Sequence, residues 1–295
     1  MRVNPNPLPD LLAAIQQTQQ QINTDLEQIA SGQSVNLPSD DPAAAASLVQ
    51  NADQTSAADQ FLRSIGSIQG EAQNADSTLN SVITTLQRAI SLGVEGASGG
   101  LNQADRSAIA TEVQGIQSQL LNLANLSYQG SYVFAGTATQ TAPYVLNTAS
   151  PSGVQYVGNA ATNSVTLGDH FTLQTNLPGS QLFTAPGTDM FKAIQDLITG
   201  LQTGTGIDAA VGEVSTAYNF IDTARVFYGN AENQLNSQQT YLNSENTQLA
   251  QQQNTLGGTN LPAAISNLTT AETSQQATLE AIGSTGHSDL FDYLK

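Results

Sequence analysis

The side chains that most often perform chemistry are few in this sequence, and none recurs at a spacing that catalysis or metal binding requires. The two histidines, His170 and His287, stand beside turn residues, which indicates surface positions rather than metal ligands. Asp40 and Asp41 are adjacent, but Asp41 precedes Pro42, so capping of a helix explains the pair better than a cation site. The other carboxylates are dispersed, and we expect burial to tune none of them. The sequence therefore predicts no catalytic residue, no cofactor and no metal site.

The charge and composition of the chain exclude several classes of partner. The 295 residues include 24 acidic and 7 basic side chains, for a formal charge of −17. The basic residues are scattered, so we expect no binding to nucleic acid or to an anionic membrane. No cysteine is present, which excludes disulfides and thiolate metal sites. No apolar run approaches the roughly 20 residues of a membrane span, and no signal-peptide block follows Met1, so we expect no cleaved export signal.

The elements that position these side chains are long helices, and residues 207–256 form one of them. Apolar residues recur there every seven positions, which is typical of a helix that packs along a partner helix. A helix of about 50 residues is roughly 75 Å long, whereas a compact globule of this chain length is roughly 50 Å across. We therefore predict an elongated molecule. The apolar column narrows after Ala231, so residues 235–256 are expected to pack weakly against a single neighbouring element. The column consists of Ile207, Val214, Ile221, Tyr228, Leu235, Leu242, Leu249 and Leu256.

Other stretches carry helical seams as well. Residues 42–93 and 103–127 show spacings of three and four, and we expect them to share one bundle with 207–256. Shorter helices are predicted from about 189 and from about 262. The N-terminal stretch 8–29 has a single apolar stripe, which is marginal for a helix alone in water. Its expected partner is the last helix, so that both ends of the chain meet at one end of the molecule.

Between the helices, residues 128–187 are rich in glycine, threonine, proline and aromatic residues. Short runs of β-branched and aromatic residues alternate there with turn residues, which predicts a small β module. The predicted fold class is mainly α, an elongated coiled-coil helical bundle built from both chain ends with a small inserted β module. The predicted domains are a terminal coiled-coil region (1–38 and 257–295), a long helical bundle (39–138 and 188–256) and a β-rich outer module (139–187).

One block of residues resembles a known family. Ala30-Ser31-Gly32, followed by Pro38-Ser39-Asp40-Asp41-Pro42-Ala43, is similar to the N-terminal signature of the bacterial flagellins. Three further segments favour, within that family, the proteins of the hook–filament junction over filament flagellins. They are the aromatic and glycine block 128–137, the stretch 156–183 and the terminal Leu290-Phe291-Asp292-Tyr293-Leu294.

The resemblance implies a structural subunit rather than an enzyme. Such a subunit is exported unfolded by the flagellar type III apparatus, with an export chaperone, to the flagellum outside the cell. It forms a ring with copies of itself and joins hook-associated protein 1 at the hook end to the first flagellin subunits. The terminal stripes would order as copies stack. The candidate assembly contacts are Leu11, Ile15, Ile22, Leu26, Ile29, Leu279, Ile282, Leu290 and Leu294.

Three alternatives remain open from the residues. The terminal stripes could already form a two-helix coil within one free chain. The protein could be a filament-forming flagellin, or it could be a coiled-coil interaction protein unrelated to flagella.

Overall fold

The helices follow the heptad patterns closely. The structure is a computed structural model that describes residues 8–168 and 171–292. It is mainly helical, with three small antiparallel hairpins between the third helix and the fourth. In chain order the elements are α1 Leu8–Ser31, α2 Pro42–Gly96, α3 Gln103–Ala124, β1 Ser127–Tyr128, β2 Ser131–Tyr132, β3 Tyr144–Leu146, β4 Val154–Tyr156, β5 Ser164–Thr166, β6 Thr172–Gln174, α4 Gly179–Leu182, α5 Met190–Thr203, α6 Ile207–Gly257 and α7 Leu261–Asp292.

Local side-chain hydrogen bonds explain where several helices begin. Asp41 Oδ1 accepts from the amides of Ala43 and Ala44, at 3.0 and 2.9 Å, at the start of α2. Asn102 and Asp105 form a reciprocal capping box at the start of α3. Asp40 Oδ2 accepts from the amides of Asn36 and Leu37, so both adjacent acids bind backbone amides, as the sequence predicted for Asp41.

The third helix is shorter than predicted because its end is tied to the β hairpins. It stops at Ala124, and Asn125 then exchanges two hydrogen bonds of 2.8 Å with the backbone of Tyr144. Ser127 and Tyr128, expected at the helix end or just beyond, pair as β1 with β2.

The chain divides into two compact units, one of residues Ala58–Asn243 and one of Met1–Ala57 with Ser244–Lys295. In the larger unit, one core joins α2, α3, α5 and α6. Buried residues between α3 and α5 enter the same core, including Phe183, whose ring contacts those of Phe134 and Tyr144 edge to face. The hairpin region is thus packed into the helical core rather than attached to it by loops alone.

A second, smaller core in this unit corrects one expectation. Leu235 and Leu242 were expected to face a single neighbour, but they pack with Ile65 of α2 and also with Leu167 and Leu173 of the β5–β6 region. Gln238 Nε2 donates a 2.7 Å hydrogen bond to the carbonyl of Leu167 and holds this hairpin on α6. The apolar column on α6 is narrow, but Leu235 and Leu242 are buried because the β5–β6 hairpin covers one side of the helix.

Candidate assembly surface

In the smaller unit, α1 and α7 form an antiparallel pair. The loops next to them are joined by backbone hydrogen bonds, from Ser34 N to Gly257 O at 2.7 Å and from Thr259 N to Gly32 O at 3.0 Å. Farther along the pair, Gln275 Nε2 donates to Gln19 Oε1 at 2.7 Å. Gly32 has φ of +70°, a conformation that glycine adopts without strain, and this lets the chain turn sharply after α1.

The two helices meet along a heptad seam. The least exposed positions of each helix alternate at spacings of four and three, which is the geometry of a coiled coil. We call this set the terminal seam: Leu11, Ile15, Thr18, Ile22, Asp25 and Ile29 on α1, with Ala264, Leu268, Ala271, Gln275, Thr278 and Ile282 on α7.

The terminal seam is weakly apolar. Its buried positions include Ala264 and Ala271, which are small, and Asp25, which is 2% exposed. One oxygen of Asp25 accepts from Gln21 Nε2 at 3.0 Å, while Oδ2 has no hydrogen-bond partner within the described residues. A buried carboxylate with an unsatisfied oxygen costs free energy, so the seam holds the two helices less firmly than an all-leucine seam would.

Beside the seam lies a row of exposed apolar side chains. Leu12 and Leu26 on α1, and Ile265 and Leu279 on α7, are each about half exposed, between 48% and 56%. Each of them directly follows a seam residue, and each pair is two heptads apart. An antiparallel pair has approximate two-fold symmetry, which brings equivalent heptad positions of both helices to one side. We call this side the apolar face; Gln19 and Glu272 lie midway along its two columns.

The opposite side of the pair is polar. An open groove there is lined by Gln17, Gln21, Asn267, Thr270 and Ser274, together with Thr18 and Ala271 at its floor. The pair therefore has two different sides, and four of its exposed large aliphatic side chains lie together on the apolar face.

The charge of this unit is one-sided. Residues 8–57 and 244–292 contain eleven carboxylates and no lysine or arginine. The basic residues with partners in the structure, such as Arg88 with Glu112 and Arg225 with Asp76, all belong to the other unit. Any macromolecule that binds the α1–α7 pair therefore meets a negative surface.

The structure places the predicted assembly residues in two groups. Leu11, Ile15, Ile22, Ile29 and Ile282 lie in the terminal seam, as the alternative of a coil within one chain requires. Leu26 and Leu279 lie on the apolar face. Leu290 is part of α7, and Leu294 lies outside the described residues. Sequence reasoning missed Leu12 and Ile265 as candidates, because the apolar stripe of one helix does not show which of its residues the partner helix covers.

The chemistry-bearing side chains do not converge. Among the residues that the structure describes, no group of three or more His, Asp or Glu side chains could hold a metal ion. His170 lies outside the described residues, and His287 is part of α7. The expectation that burial tunes no carboxylate is wrong, because desolvation raises the pKa of Glu71 and of Asp189. Asp189 nevertheless has a structural task, since its Oδ1 accepts from Lys192 N and caps α5.

No helix within the described ranges is both long and apolar enough to cross a bilayer.

Comparison with known proteins shows which protein family this chain resembles. Residues 9–139 match the family model for the bacterial flagellin N-terminal helical region. The predicted resemblance to the bacterial flagellin family is therefore confirmed.

Over most of its length, the chain is also similar to flagellar hook-associated protein 3. It is 28% identical to that protein of Escherichia coli strain K12 over 295 aligned residues, covering 91% of this chain and 92% of the relative. Two solved structures share the fold. One is hook-associated protein 3 of Legionella pneumophila, with a TM-score of 0.63 and 15% identity over 71% of this chain and 98% of that one. The other is FlgL of Bacillus cereus, with a TM-score of 0.60 and 21% identity over 70% and 99%.

Proposed function

We propose that this protein is a structural subunit that joins hook-associated protein 1 at the end of the hook to the first flagellin subunits of the filament. The observation that supports this most directly is the similarity to a hook-associated protein 3 over nine-tenths of both chains. A role in the flagellum follows at the level of the family, and the position at the junction is the proposal.

The α1–α7 pair suits an assembly role. Its seam residues, Leu11, Ile15, Ile22, Ile29 and Ile282, hold the two helices together, while Leu26 and Leu279 remain available to a neighbouring chain. Helices that carry apolar residues next to an a/d seam usually pack against a third helix. We propose that neighbouring subunits supply that helix when the protein is built into the flagellum.

The remaining parts of the proposal are those that the resemblance to the flagellin family implies. The subunit forms a ring with copies of itself, leaves the cell unfolded through the flagellar type III apparatus with an export chaperone, and acts outside the cell without catalysis. A structural role is supported by the polar side chains described above, since Asp41, Asn102 and Asp189 cap helices.

Deleting the gene tests the proposed position. Mutant cells should assemble hooks, shed flagellin monomers into the medium and fail to swim, whereas a plasmid copy should restore filaments. Immunoblots of the medium and electron micrographs of the hooks measure these outcomes. Normal filaments on the deletion strain would refute the proposal. If the purified protein instead polymerised alone into long tubes, it would be a filament flagellin.

A further inference from the structure

We infer that the apolar face of the α1–α7 pair accepts a helix from a different protein, one that carries a basic side chain between two large apolar ones, rather than a second copy of itself. This inference rests on the proposed assembly function and specifies the chemistry of the partner. It depends on the arrangement of Leu12, Leu26, Ile265, Leu279 and Glu272.

The geometry of the apolar face sets the spacing of the partner. Each column has a large aliphatic residue, a polar residue and a second large aliphatic residue at intervals of seven. Fourteen residues of helix span about 21 Å. A helix lying along the face would therefore place apolar side chains about fourteen residues apart against Leu26 with Ile265 and against Leu12 with Leu279. Its central position would lie near Gln19 and Glu272.

The charge of the unit decides which residue suits that central position. Glu272 is exposed and occupies the middle of the face, and no lysine or arginine occurs in residues 8–57 and 244–292 to neutralise it. Two copies joined face to face with α7 on α7 would bring their Glu272 carboxylates together, and with α1 on α7 both carboxylates would still lie in one contact bordered by aliphatic side chains that exclude water. Like charges in a partly desolvated contact repel, whereas a lysine or arginine at the same place forms an ion pair.

The rest of the unit strengthens this preference. Eleven carboxylates against two basic residues, Arg2 and Lys295, give this unit a net negative charge, which attracts a basic helix and slows the approach of an identical acidic unit. Contacts between copies of this chain would then use other surfaces, and the apolar face would contact a different protein of the assembly.

Synthetic helices test the inference with the full-length protein. Two 21-residue peptides on an alanine and glutamine background would carry leucines fourteen positions apart, one with lysine and one with glutamate midway between them. Fluorescence anisotropy should show the lysine peptide binding at least tenfold more tightly than the glutamate peptide. The variant Glu272→Lys should reverse that order, and Glu280→Lys, an exposed change on the same helix, should leave the order as it is.

Self-association supplies a second measurement. Sedimentation velocity should find that Glu272→Gln raises the dimer fraction over the unaltered chain, because the repulsion at the centre of the apolar face is removed. Equal binding of both peptides to the unaltered protein, or a dimer of that protein that Leu26→Gln abolishes, would overturn the inference. Neither result would touch the junction role, which the deletion strain tests separately.

Discussion

Arg225 on α6 and Asp76 on α2 form a two-point ion pair. The guanidinium donates from Nε to Asp76 Oδ1 and from Nη2 to Asp76 Oδ2, both at 2.8 Å, and a third bond of 3.2 Å reaches Asn80 Oδ1. The side chains are 28% and 33% exposed, so water screens the pair less than it screens a fully exposed one. The hydrogen bond to Asp76 is the main reason why the pKa of Arg225 lies above its usual value. This geometry fixes the register of two long helices at one point.

A double-mutant cycle should detect that contribution. We expect Arg225→Gln with Asp76→Asn to give a coupling energy of about 1 kcal/mol, because the pair is bidentate and partly buried. Urea unfolding of the four proteins measures it. Arg88 and Glu112 form the matched control, since these side chains are 58% and 48% exposed and the coupling should be about 0.3 kcal/mol. Equal couplings in the two cycles would contradict this assignment.

Gly93 marks a place where α2 approaches other helices closely. A Cβ atom at this position would collide with Val211 Cγ2 and lie 3.1 Å from Leu197 Cδ1. Gly93→Ala should therefore destabilise the protein by about 1–2 kcal/mol, although alanine favours a helix. Gly66→Ala on the same helix meets nothing within 4 Å and should stabilise by about 0.5–1 kcal/mol. Opposite signs of the shift in thermal midpoint are the expected result.

Asp25 weakens the terminal seam in which it is buried. Asp25→Leu should raise the free energy of opening of the α1 amides, measured by hydrogen exchange, by about 1–2 kcal/mol. The reason is that it removes a carboxylate oxygen that has no partner within the described residues. Glu27→Leu is the control on the exposed side of the same helix and should change protection by less than about 0.5 kcal/mol. Weaker protection in Asp25→Leu would mean that the carboxylate holds the pair together.

Glu71 makes stability depend on pH. Burial raises its pKa above the usual value, so the folded protein holds this proton more tightly than the unfolded chain does. The stabilising contribution is fully present below the unfolded pKa of about 4.5 and is lost as the pH rises through the folded value. Glu71→Gln should therefore raise the urea midpoint at pH 7 and leave it nearly unchanged at pH 3.5.

The exposed residue Glu95, also on α2, provides the comparison for this experiment. Glu95→Gln should have the same small effect at both pH values. A gain from Glu71→Gln that persisted at pH 3.5 would show that packing, and not the charge of the carboxylate, is responsible.

The heptad patterns in the sequence predicted the long helices well because their seams repeat without interruption. The start of α2 was also predictable, since Asp41 and Pro42 define a cap locally. The placement of the β5–β6 hairpin on Leu235 was not predictable, because its contacts join residues about 70 positions apart and no local pattern encodes such a pairing. The sequence likewise could not reveal the burial of Glu71, which depends on several elements packing around it.

The candidate surface was predicted only in part, for a physical reason. A single stripe on α1 does not distinguish residues that face α7 from those one position farther around the helix. Leu26 and Ile29 belong to the same stripe in the sequence. Leu26 is exposed and Ile29 is half-buried only because α7 packs on one side of the stripe. Locating α7 was therefore necessary before Leu12 and Ile265 could be recognised.

The two hydrogen bonds that Ser34 donates to the carbonyl of Gly257, one from its amide and one from its hydroxyl, have a consequence for the order of folding. They join points 223 residues apart, so the α1–α7 pair closes one of the longest loops that this chain can form. Closing such a loop costs entropy before any contact is gained, and contacts of high sequence separation form slowly. α1 can therefore pair with α7 only after the rest of the chain has been synthesised.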